Sequence, residues 1–228
     1  MRSYRAQLLE ELFSEGPHLA TYAFEIGNPG LDSEIGIGGE FFLAYDSDVW
    51  HWKASMFQNS SSGYIYPRNT GEINYRTLLP IYQYTGLDAV FRGFETETHG
   101  NLTEHWTGRL AFSYVLATLV DSHQPLPRIP PLNGKLSLKY NRDQLSVGGA
   151  IRGATAQKRT AEFEEPTDAY VIMDCNAQYM IPQGRYIHSI AFTIHNVSDT
   201  VYRKHLSRVK VIMPEPGRNY KLNYRVYF

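Results

Sequence analysis

The chain has one cysteine, Cys175, among 228 residues. A single thiol excludes an intrachain disulfide, a zinc ribbon and a CxxC redox pair. Nowhere does the sequence approach the ~18 consecutive apolar residues of a membrane-spanning helix, and mean hydropathy is -0.37. The opening Met1-Arg-Ser-Tyr-Arg-Ala-Gln contains no apolar core of a secretory signal. A chain with this start is expected either to be cytosolic or to have its N-terminal part elsewhere, and the patterns below favour the second. No excess of one charge exists: 22 Lys and Arg stand against 23 Asp and Glu, a formal net charge of -1, which argues against a nucleic-acid partner. HExxH, the P-loop, GxSxG and a GxGxxG between strand and helix are all absent, so no enzyme class is expected. Helical periodicity is also missing, apart from one possible turn at Leu8–Phe13.

Aromatic residues and strict alternation are abundant. Aromatics make up 14% of the chain and include 17 Tyr, a side chain whose apolar ring and polar tip suit a membrane interface or a wet binding surface. In the closing segment, Tyr220, Leu222, Tyr224, Val226 and Phe228 alternate with Asn219, Lys221, Asn223, Arg225 and Tyr227. Period two over the whole segment means a strand with one apolar and one wet face. Its length of about ten residues matches a tilted strand crossing a bilayer. The same pattern recurs over Ser33–Tyr45, Trp50–Met56, Trp106–Leu116, Gly134–Tyr140, Leu145–Ile151, Ala169–Tyr179 and Tyr186–Ile194, and weakly over Ala89–Thr98. About nine strands result, with a possible remnant at Arg2–Ala6.

The connections alternate in length. Short turns of about 3–6 residues fall at Asp46–Asp48, Gly100-Asn101, Asn141–Asp143 and Pro182–Gly184, and polar stretches of about 12–25 residues fall between them. The latter are Ser60–Tyr84, a loop that holds Pro125, Pro127, Pro130 and Pro131, Thr155–Thr167 and Asn196–Gly217. Short turns on one rim and long loops on the other are the habit of outer-membrane β-barrels. One strand face is essentially free of charge; the other holds Glu34, Glu40, Lys53, Arg109, Lys135, Lys139, Asp174, Lys221 and Arg225. Alternation does not say which face is inside. The loop asymmetry and aromatic terminus favour apolar outward. The alternatives are an autonomous pore or adhesin of about ten strands and a soluble ligand-binding barrel with the apolar face inward.

Candidate functional residues sit on the long-loop side. Tyr22, Glu25, Tyr66 and Tyr82 are candidates for ligand contact, because Tyr-rich loops adapt to many ligands. His18, His123 and His205 are candidate metal contacts, since imidazole ligates zinc and copper and a carboxylate such as Glu25 can complete a site. His51, His188 and His195 read as girdle or lumen residues, Cys175 as a small lipid-facing group, and Glu162, Glu164 and Glu165 as a solvated run. No bound cofactor is expected.

Four stretches carry a family resemblance. Glu10 to Glu34, EELFSEGPHLATYAFEIGNPGLDSE, resembles the passage ELYSNGxHxATxxFExGNPxLxxE of TonB-dependent outer-membrane receptors, particularly those similar to zinc-uptake receptors. Leu126–Pro131 resembles their LPRIPP loop, and Pro214 to Phe228 their PxPGR ending; Asn196 ahead of Tyr202 is similar to a degraded NLxxxxY. Gln7 and Gly30 depart from the usual proline and polar residue. The resemblance implies an all-β antiparallel barrel of about 22 strands filled by a plug, of which residues 1–228 supply roughly the last ten strands. It implies uptake of zinc or a ferric siderophore as cargo, with zinc slightly ahead, and His18 inside the zinc-type motif. Implied partners are outer-membrane lipid, the barrel-assembly machinery, with Tyr220, Tyr224 and Phe228 as assembly signal, and TonB, reached only through an N-terminal part.

Overall fold

A computed structural model describes all 228 residues. Nine long strands follow one another: β4 (Glu34–Asp46), β5 (Trp50–Ile73), β6 (Pro80–Asn101), β7 (Trp106–Leu119), β8 (Asn133–Arg142), β9 (Leu145–Ala154), β10 (Tyr170–Gln183), β11 (Tyr186–His195) and β12 (Asn219–Tyr227). Each pairs antiparallel with the next, and the short β1 (Arg2–Arg5) joins the free side of β4. The expected strand remnant near the N-terminus is therefore the tenth member of the wall. β1 and β12 lie at opposite ends of this order and do not pair with each other, so the wall is an open sheet. Four further elements, α1 (Leu9–Phe13), β2 (Glu15–His18), a 3-10 turn (Leu19–Thr21) and β3 (Ala23–Ile26), interrupt the path between β1 and β4.

Register settles which residues share a face. Phe41, Met56, Phe94 and Tyr114 are consecutive cross-strand partners, as are Leu110, Leu136, Ile151 and Met173. Leu145, Tyr179, Ile190 and Tyr224 form a third such row. Apart from the half-buried Leu110 and Tyr114, these rows are solvent-exposed large hydrophobics, which water would not tolerate over so wide an area. The concave side holds a cavity of about 680 Å³ lined by Glu40, Lys53, Glu95, Glu97, Lys135 and Arg152. Charge inside and apolar rows outside is the arrangement of a membrane barrel wall, and the reading with the apolar face inward does not hold. Only 24 of 228 residues are buried, as befits a wall rather than a filled domain.

Turns at residues 47–49, 102–105, 143–144 and 184–185 occupy one rim; loops 120–132, 155–169 and 196–218 occupy the other. One expected loop is mostly strand. Residues 60–84 continue the β5–β6 hairpin, pairing through Tyr64↔Leu87 to Asn69↔Tyr82, and only residues 74–79 form the turn. Both faces of this extension are polar or mixed, so period two, which reports burial of one face, is blind to it. Ladder hydrogen bonds sustain it, together with Ile65, Tyr66 and Tyr84, which are buried in two small apolar clusters. A register shift between Ser61 and Tyr64 is stapled by Asp88, whose Oδ1 accepts from the N–H of Gly63 at 2.8 Å and the hydroxyl of Ser62 at 3.0 Å. Gly63 has φ +65° there, a conformation glycine adopts freely.

Candidate ligand-binding site

The segment between β1 and β4 folds inward at the long-loop rim. Glu11 ties its start: the carboxylate accepts from the N–H of Leu8 at 2.8 Å and from Arg5 Nη1 at 3.0 Å, while Arg5 also reaches Glu34 at 3.1 Å. Gly27 then passes against α1. Its N–H donates to the Ser14 carbonyl at 2.6 Å, and an added Cβ would meet the Leu12 carbonyl carbon at 2.5 Å. This close approach explains the glycine of the GNP element. β2 pairs β3, and β3 runs parallel to β6 with Phe24 opposite Ile81. Glu25 is thereby buried against the wall. It accepts from Arg208 Nη2 at 2.7 Å, Thr21 Oγ1 at 3.2 Å and the Tyr84 hydroxyl at 3.3 Å, with His18 Nδ1 at 3.8 Å.

A second buried carboxylate ties the three loops together. Glu164 accepts from Lys210 Nζ at 2.9 Å, from His205 Nε2 at 3.0 Å, and from the backbone N–H groups of Arg128 at 2.9 Å and Ala161 at 3.2 Å. These partners come from loops 120–132, 155–169 and 196–218. Burial alone would raise the Glu164 carboxyl, but hydrogen bonds from His205 and Lys210 and the Lys210 charge outweigh it and hold it at about 2. Burial pushes Lys210 down, although Glu164 supports its charge. At 2.9 Å the two form an ion pair, and both are charged at neutral pH. Within the expected solvated run, Glu162 and Glu165 are exposed as anticipated, but Glu164 is the hub of the rim. It is an acidic side chain in an acidic run, and only the fold brings His205 and Lys210 to it.

Between the loops and the β5–β6 extension lies a cavity of about 380 Å³, inside the range of small-ligand sites. Tyr66 and Tyr82 line it, together with Arg68, Arg128, Arg208 and Lys210. The remaining candidates are dispersed around it. Glu25 stands behind Arg208. Tyr22 occupies a left-handed turn, φ 52°, and is absent from the cavity wall. His18 reaches only Thr21 and the edge of Glu25. His123 is exposed on loop 120–132 at φ 55°. His205 is buried with both ring nitrogens engaged, Nε2 by Glu164 and Nδ1 by Thr167 Oγ1 at 3.1 Å. No three His, Cys, Asp or Glu side chains converge to hold a metal ion.

The residues that sequence reasoning passed over are the cations. Arg128 lay within the LPRIPP element but was read only as part of a proline loop, and no pattern marked Arg208 or Lys210. A cross-strand pair was also missed: His51 and His99 are register partners with ring centroids 4.8 Å apart, because their separation along the chain hides them. His188 stacks on Tyr224 on the outer face, its Nδ1 2.7 Å from the hydroxyl, and Cys175 is exposed there. His195 lies 3.6 Å from Asp174 on the inner face.

The family described as TonB dependent receptor-like, β-barrel, matches residues 1–197. Among solved structures, the copper transporter OprC superposes with TM-score 0.83 at 21% identity, covering 99% of this chain and 35% of that one. The siderophore receptor PirA from Pseudomonas aeruginosa gives 0.67 at 18% identity, over 100% of this chain and 38% of that one. A variant of the ferric enterobactin receptor PfeA from Pseudomonas aeruginosa, in complex with enterobactin, gives 0.71 at 19% identity, over 99% and 37%. At these identities the likeness is one of fold. The chain spans between 35% and 38% of the length of these structures.

Proposed function

This chain belongs to the TonB-dependent receptor β-barrel family, and from that premise we propose that it forms wall strands and ligand-gathering loops of an outer-membrane receptor that takes up a metal or metal chelate, zinc or a ferric siderophore. The observation that carries the reading is the sorting of faces and rims: apolar rows outward, charge inward, and all three long loops gathered on one rim around a cavity. Strand edges left unpaired in hydrocarbon are untenable, so the backbones of β1 and β12 pair with further strands of a larger barrel. That requirement disfavours an autonomous barrel of these strands alone. The outer rows meet lipid, and the barrel-assembly machinery inserts the sheet, with the aromatic end at Tyr220, Tyr224 and Phe228 as its signal. Energy coupling through TonB belongs to a plug supplied by other residues of the receptor.

Deletion of the gene tests this reading. Growth should fall under zinc or iron restriction, be restored by the gene in trans, and be unaffected in replete medium. Unchanged growth under both restrictions, with the protein absent from the outer-membrane fraction, would remove the receptor assignment.

A further inference from the structure

His51 and His99 belong to one inward row of consecutive cross-strand partners, Asp46–His51–His99–Arg109, close to the short turns. This row lies one step nearer those turns than Lys53 and Glu97, which line the lumenal cavity. The two imidazole rings are close to parallel, 21° apart in plane, with centroids at 4.8 Å. A recess of about 490 Å³ opens beside them, lined also by Asp48, Glu97, Arg109 and Lys139. It stands at the opposite rim from the cavity of Tyr66 and Tyr82.

A carboxylate faces the same nitrogen of each ring. His51 Nδ1 lies 2.8 Å from Asp46 Oδ1; an ionised carboxylate only accepts, so the proton sits on Nδ1 and the lone pair on Nε2. His99 Nδ1 lies 3.8 Å from Glu97 Oε1, and Arg109 Nη2 holds Glu97 in place at 2.7 Å. Both rings thus turn Nδ1 towards a carboxylate, and neither Nε2 has a hydrogen-bond partner. A carboxylate behind the imidazole is the usual setting of a metal-ligating histidine, because it fixes the tautomer and raises the basicity of the other nitrogen. The surrounding charge does not oppose a cation: Asp46, Asp48 and Glu97 outnumber Arg109 and Lys139, and Arg109 is already taken up by Glu97.

We propose that His51 and His99 hold a late first-row divalent metal ion through their Nε2 atoms, inside the lumen at the short-turn rim. Imidazole suits copper and zinc, whereas magnesium and calcium want oxygen ligands. No third His, Cys, Asp or Glu converges on the pair, so water completes the coordination and the ion stays exchangeable. Copper(II) binds more tightly than zinc(II), the ordinary preference of nitrogen ligands. The site uses the geometry of the lumen and does not depend on which cargo the receptor takes.

The test uses the receptor extracted in detergent from its own outer membrane, with heat-modifiable migration confirming a folded barrel. Copper(II) chloride and zinc(II) chloride are titrated by calorimetry, and electron paramagnetic resonance counts the imidazole nitrogens on bound copper. Wild type should bind copper(II) through two imidazole nitrogens, more tightly than zinc(II), with no competition from magnesium. His51→Ala and His99→Ala should each weaken copper(II) at least tenfold and abolish the two-nitrogen signal. Asp46→Ala, which only positions His51, should weaken binding by a smaller factor and keep both nitrogens. His105→Ala, in the neighbouring turn, should match wild type. Should one histidine variant fail to fold, the other makes the same distinction. Copper(II) binding indifferent to His51 and His99, an equal loss in His105→Ala, or no copper(II) on the folded receptor would each overturn the proposal. Absence of the protein from the outer membrane would instead overturn the receptor reading.

Discussion

The Glu164 carboxylate carries more of the rim than any other side chain. Its folded pKa, about 2, lies below the ordinary carboxylate value of 4.5. A group depressed in this way stabilises the folded state fully above its unfolded pKa and loses that contribution as pH falls through the folded one. The window here runs from about 4.5 down to about 2, and the contribution is on the order of 3 kcal/mol. Lys210 is protonated throughout that window and adds no slope of its own. Hydrogen exchange corrected for intrinsic rates should therefore show loops 120–132, 155–169 and 196–218 opening together between pH 5 and pH 2.5. Glu164→Gln should open them at pH 5 as well and flatten the dependence. Equal protection at both pH values in the wild type would mean the loops are held by something else.

At the scale of elements, the register makes neighbouring residues opposite in consequence. Leu136 lies in an outer row of β8 with Leu110 and Ile151, whereas Ser137 faces inward opposite Arg109 and Ala150. Leu136→Arg should destabilise the folded barrel by about 2–4 kcal/mol, the depth-dependent penalty for a cation facing mid-bilayer lipid. Ser137→Arg should be nearly neutral; urea unfolding in lipid vesicles measures both. Phe228 follows β12 and is 99% exposed, so it supports no packing. Phe228→Ala should lower the amount of folded protein in the outer membrane several-fold without changing the denaturation midpoint of what does assemble. A shifted midpoint with normal abundance would argue for a packing role. Strands of this kind were legible because lipid demands apolar residues at every second position. The upper β5–β6 extension was not, because its consecutive residues Ile65 and Tyr66 are buried in different clusters, on opposite faces, and leave no alternation to read. The rim cations were illegible for a different reason: pairs such as Arg208–Glu25 and Lys210–Glu164 join residues far apart in the chain. Glycine fared better, since GNP and PGR mark close approaches, at Leu12 for Gly27 and at Asp199 for Gly217.

For the whole molecule, the ten-strand path is a curved wall with polar concavity and two open edges. Its stability rests on ladder hydrogen bonds and lipid contact more than on the two small buried clusters around Tyr66 and Tyr84. Such a wall has a defined polarity, with loops on one rim and turns on the other. The most direct measurement replaces Cys175 by Ser, then introduces Ser122→Cys in a long loop or Asp143→Cys in a short turn, and exposes intact cells to a membrane-impermeant maleimide. The account predicts labelling of Ser122→Cys in intact cells, and of Asp143→Cys only after the outer membrane is permeabilised. Labelling of Asp143→Cys in intact cells, or protection of Ser122→Cys until permeabilisation, would contradict a barrel wall oriented with its long loops outside.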